Sequence, residues 1–182
     1  MINTPTTHQA VFDALLAKIR AGVLTANAEP IFNTVNLWLS DDPEFEIPKG
    51  AQHKVYAVVC PTDGQIGEPE FDGGGEHNVI EYTAATIVLH SSIRLAQKGK
   101  PGIVLTEPNY GLWVLKRKLI RALAGQYLTT TVDEQTVSLL IQPLQILHCE
   151  RPTIQGQPVG DLALLVNLPF EWDLTADPEP DP

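Results

Sequence analysis

Leucine recurs at three- and four-residue steps in residues 106–126 (TEPNYGLWVLKRKLIRALAGQ). Leu112, Leu115, Leu119 and Leu123 therefore share one face of a helix. Lys116, Arg117, Lys118 and Arg121 fall on the opposite side. Thr106 and Asn109 both suit an N-cap, Glu107 suits the positive end of the helix dipole, and Pro108 is tolerated in a first turn. Gly125 follows the last apolar residue, where a left-handed residue stops a helix. The pattern predicts a helix that covers a sheet built from the chain around it. A second helical stripe runs through His8–Gly22, with Val11, Leu15 and Ile19 on one side, Thr6 or Thr7 as cap and Gly22 as stop.

Most other apolar positions alternate with a period of two, which is the mark of strands. Val35, Leu37 and Leu39 alternate with Thr34, Asn36 and Trp38. An acidic, proline-containing stretch follows and reads as an exposed loop. Residues 53–59 (HKVYAVV) form a strand that stops at Cys60-Pro61. Residues 62–75 (TDGQIGEPEFDGGG) form a long turn, the tip of a large hairpin. Its second arm is the longest β-type run, residues 76–95, with a bulge expected near Ala84 and Ala85. Residues 97–102 turn, and residues 103–105 form a short strand into the leucine-rich helix. After that helix, residues 129–134 read as a polar link. Residues 136–149 (TVSLLIQPLQILHC) alternate again, but Pro143 breaks the strand or places it at an edge. A second turn-rich stretch leads to a last strand, residues 162–174, where Pro169 again suggests an edge or a bulge. The sum is an α+β fold: a mainly antiparallel twisted sheet, two helices on one face, and long hairpins.

At 182 residues the chain suits a single domain over residues 1–174, followed by the acidic, proline-rich segment TADPEPDP. That segment reads either as solvated disorder or as an arm that orders on a neighbouring subunit. The formal net charge is -10, which opposes general binding to nucleic acid because phosphates meet a repulsive field. No secretory signal pattern opens the chain and no apolar run reaches membrane-spanning length. The expectation is a protein made in the cytosol and built there into something larger. Cys60 and Cys149 read as reduced apolar residues, with a disulfide left open by the sequence.

Candidate chemistry is sparse. The glycine cluster FDGGGEH (residues 71–77) lacks the lysine and serine of a phosphate loop and precedes a strand where a dinucleotide site needs a helix. Asp72, Glu76, His77, Glu81 and His90 lie in one segment, yet no HExxH or CxxC spacing organises them. His148 and Cys149 are adjacent on a strand and point to opposite faces, so they form no nucleophile and base. No catalytic, cofactor or metal residue is assigned. The basic helix face stands out on an acidic chain, with four of the twelve lysines and arginines. It is either a solvated outer face or a docking surface for an acidic neighbour. Trp113, Arg117 and Arg121 are spaced four residues apart, and tryptophan with arginine is a common interface pairing.

In element order the chain resembles the tail terminator proteins of long-tailed bacteriophages. The likeness rests on the helix His8–Gly22, a long hairpin with the turn FDGGGEHNVIEY, the leucine- and lysine-rich helix GLWVLKRKLIRAL, and a closing hairpin LLIQPLQILHC with LALLVNLPFEWDL. Residues 25–51 are longer than the family pattern needs, and the acidic segment is an addition. The resemblance implies a virion structural protein without enzymatic activity. It would form a homo-oligomeric ring, expected as a hexamer, that caps the tail tube protein, stops tube polymerisation and meets the head-neck connector. DNA would pass through the ring without sequence-specific recognition. The implied contact residues are Trp113, Lys116, Arg117, Lys118 and Arg121, with Phe71, Asp72 and Glu76 of the glycine-rich turn. The competing expectations are another neck or head-completion protein, a small metal- or ligand-binding enzyme with a site near residues 72–81, and a monomeric cytosolic domain.

Overall fold

The computed structural model describes residues 7–25, 27–32, 34–37, 55–66, 70–71, 77–91, 110–132, 134–150, 153–154, 157–158 and 161–173. Its framework is the pairing of β4 (His77–Ser91) with β10 (Asp161–Asp173), antiparallel without a register shift from Asp161↔His90 to Asp173↔Asn78. Both strands put alternate residues on the same side. Ala85, Ile87 and Leu89 of β4, and Leu162, Leu164, Val166, Leu168 and Phe170 of β10, are buried in the core. The two-residue period thus places an apolar row on one face of each strand, which on β4 continues into buried Thr83 and Glu81.

β2 (Val55–Ile66) lies on the other side of β4, antiparallel, and β3 (Glu70–Phe71) continues along β4 towards the hairpin turn. β1 (Thr34–Leu37) pairs with β2, and β7 (Gln145–Glu150) pairs with β10. The order β1-β2-β4-β10-β7, with β3 beside β4, makes an α+β sheet that is mostly antiparallel. The long β2–β4 hairpin and the β7–β10 pairing match the alternation of the sequence. β8 (Thr153–Ile154) and β9 (Gln157–Pro158) form a two-stranded extension between β7 and β10.

Both helices pack into the core with the inner side of this sheet. In α1 (His8–Gly22) the buried side chains are Val11, Phe12, Leu15, Leu16 and Ile19. Thr7 caps it, its hydroxyl accepting from the Ala10 amide at 3.1 Å. Arg20 donates to the Val35 carbonyl at 2.6 Å and ties α1 to β1. In α2 (Leu112–Leu123) the four leucines read from the sequence are fully buried. Each such side chain contributes about 1.5–3 kcal/mol through burial, so these four dominate what holds α2 in place.

Several expectations change. α2 begins on Gly111, an extended residue that caps it without a side-chain hydrogen bond, rather than on Thr106 or Asn109; residues 101–109 lie outside the described residues. β1 runs parallel to β2, because an alternating strand pattern carries no direction. The bulge near Ala84 belongs to β2: Thr62↔Ala84 gives way to Gln65↔Tyr82, so the extra residue is on β2 while β4 stays regular. The Thr62 hydroxyl donates to the Ala84 carbonyl at 2.7 Å beside this shift. Residues 129–134 are no mere link. Thr129–Val132 is strand β5, paired with β6 (Gln135–Ser138) in a largely exposed hairpin rooted by buried Leu128 and Leu139. Pro143 does break the run into β6 and β7.

Pro169 corrects the last expectation. β10 is an interior strand, not an edge. The Pro169 carbonyl accepts from the Ile141 amide at 3.0 Å, so that backbone edge points towards the β7 side, where the ladder has already ended at Asn167↔Gln145. A missing N–H costs no ladder bond there.

Candidate functional site

The outer face of α2 is the charged feature singled out by the sequence. Trp113 is 52% exposed, and Arg117 and Arg121 are also exposed. Four-residue steps rise about 6 Å along a helix, so the three side chains form one stripe opposite the buried leucines. Lys116 is half-buried on the flank of this stripe. Neither arginine, nor Lys116, makes an ion pair with any described residue.

Lys118 departs from the expectation. Its Nζ donates to the Leu24 carbonyl at 2.5 Å, so it fastens α2 to the chain leaving α1. The outward-facing set is therefore Trp113, Arg117 and Arg121, with Lys116 beside them and Lys118 turned inward. Phe71 lies in β3 and pairs by backbone with His77, while Asp72 and Glu76 lie outside the described residues. Of the expected contact set the structure thus brings together Trp113, Arg117 and Arg121, flanked by Lys116.

A second polar group went unread in the sequence. Glu81 and Thr83 are the buried polar residues of the described sheet. The Glu81 Oε1 lies 3.0 Å from His8 Nε2 and also accepts from the Thr83 hydroxyl. The His8 ring meets Phe170 edge-on, with centroids 5.0 Å apart, and Phe170 is the cross-strand partner of Glu81. The carboxyl stands between imidazole and hydroxyl, so His8 does not address Thr83 as a base addresses a nucleophile. The arrangement secures the first residue of α1 to the inner face of β4. Its signal was present in the alternation, which puts Glu81 in phase with Thr83, Ala85 and Ile87, but its partner lies 73 residues away.

His148 is exposed while Cys149 packs against the core, on opposite sides of β7. Cys60 and Cys149 are free thiols. β4 and β10 lie between their strands, a separation of about 14 Å at ordinary strand spacing, far beyond disulfide reach. Burial pushes the Cys60 thiol above its ordinary pKa. Among the described residues no group of three or more His, Cys, Asp or Glu is placed to hold a metal ion, and no helix is long and apolar enough to cross a membrane.

The arrangement is suited to contact: the helix presents in a row an aromatic ring and two guanidinium groups that make no ion pair with any described residue. A scan of protein-family models gives no match to the chain, and no curated protein sequence matches it significantly.

Proposed function

We propose that this chain is a virion structural protein, a ring-forming tail terminator that caps the tail tube, stops its polymerisation and joins it to the head-neck connector. It acts by shape and subunit contact, without turnover of a substrate. The observation that carries the reading is the exposed Trp113, Arg117 and Arg121 stripe on a chain of net charge -10. Exposed guanidinium groups without carboxylate partners among the described residues, on an acidic protein, favour an acidic neighbour, and another copy is one. Edge strands support the same reading. β1 and β7 end the described sheet, and a neighbour placed along either would cover backbone groups that otherwise invite uncontrolled association.

Light scattering together with particle images tests this proposal. Rings of uniform size are expected, in the virion or with the tube protein. Arg117→Glu with Arg121→Glu is expected to abolish assembly while circular dichroism and the melting temperature stay unchanged. Unaltered particle size in that variant would overturn the role given to α2. Exclusive placement in a head-completion ring would redirect the reading to a neck protein.

A further inference from the structure

The exposed stripe of α2 and the segment 177–182 are complementary in charge and in chemistry, and they share an axial step. That segment reads Asp-Pro-Glu-Pro-Asp-Pro. Each acid precedes a proline, which disfavours helix for the acid and fixes the backbone angle of the proline. The sequence is thereby predisposed to polyproline II, which rises about 3.1 Å per residue. Acids two residues apart then lie about 6 Å apart along the axis, the same rise as Arg117 to Arg121 on α2. At about three residues per turn they point about 120° apart, so two neighbouring acids flank one side of the segment and reach α2 from adjacent faces. Trp113 continues the row by one more turn, and aromatic side chains are the usual platform for proline rings in polyproline recognition.

We propose that residues 177–182 of a second copy dock along the outer face of α2. Two of the acids pair with Arg117 and Arg121, and a proline packs on Trp113. Lys118 takes no part, because it is held by the Leu24 carbonyl. Prolines lower the entropy lost on docking, which suits a short arm. This deepens the ring reading by naming the chemistry of one subunit contact, and it rests on that reading only for the number of copies joined.

Charge swaps in the full chain test it. One variant carries Arg117→Glu and Arg121→Glu. A second carries Asp177→Lys, Glu179→Lys and Asp181→Lys. Either alone is expected to weaken self-association about tenfold or more, the order that two exposed ion pairs with an aromatic contact supply. Mixing the two variants is expected to restore complexes, since the arginines of one then meet the acids of the other. Wild-type association in both single variants overturns the proposal. So does a mixture that stays dissociated, which includes the case where the segment folds back on its own helix. A wild-type chain that remains monomeric at every concentration counts against the ring instead. The inference is then decided by a labelled peptide of residues 174–182 added to the full chain. Binding that Arg117→Glu with Arg121→Glu weakens about tenfold sustains it, and no binding overturns it.

Discussion

A side-chain carbon placed on Gly22 would lie 2.5 Å from the Cβ of Ala122. The last residue of α1 and a flank residue of α2 are therefore in direct backbone-to-methyl contact. Glycine is required here by the approach of two helices as well as by the helix end. Gly22→Ala is expected to destabilise the protein by about 1–3 kcal/mol, the usual cost of overpacking. Ala122→Gly alone costs about 1 kcal/mol through helix propensity. The double variant Gly22→Ala with Ala122→Gly should recover part of the loss, and urea denaturation of all four proteins measures the coupling. Additive losses would show that the contact is not limiting.

The Glu81 cluster predicts an ordered series. Thr83→Val removes one donor from a buried carboxyl group and is expected to cost about 1–3 kcal/mol. His8→Ala removes a partner whose own side chain is 55% exposed, and about 1 kcal/mol or less is expected. Its effect should be local, with faster amide exchange in the first turn of α1. Equal and global effects from the two substitutions would contradict the geometry.

Gly125 has φ +69° with nothing within 4 Å of an added Cβ. Only backbone strain opposes a side chain there. Gly125→Ala is expected to lower stability by about 1–2 kcal/mol, and Gly125→Asn by less, because asparagine tolerates the left-handed region. Thermal melts of the two variants check the order.

Cys60 gives a pH prediction. Its thiol pKa is raised in the folded protein because burial disfavours the thiolate. The stabilisation is complete below the ordinary thiol value, about 8.5, where the thiol is neutral in both states. It is lost as pH rises from there through the folded value, since only the unfolded chain ionises readily. Cys60→Ala should flatten that part of the stability curve, and iodoacetamide should modify native Cys60 more slowly than an ordinary thiol. Mass spectrometry under denaturing, non-reducing conditions should count two free thiols.

Local pattern was enough for the helices, the long hairpin, the leucine core of α2 and the stop at Gly125, because each is set by periodicity or by one residue's backbone preference. It was also enough to pick out Trp113, Arg117 and Arg121, which share a face by spacing alone. The β5–β6 hairpin was missed because Thr129 to Val132 are polar on both sides, and its turn relies on Glu134 at φ +64° without a glycine signal.

Tertiary structure alone decided the remainder. The parallel direction of β1, the interior place of β10, the inward turn of Lys118 and the meeting of His8 with Glu81 all depend on which distant segments become neighbours. Side-chain periodicity tells a segment which face to bury but never against what. That choice is made when the whole chain closes over one core, and Pro169 shows the consequence: its missing donor is harmless only because β7 has already ended beside it.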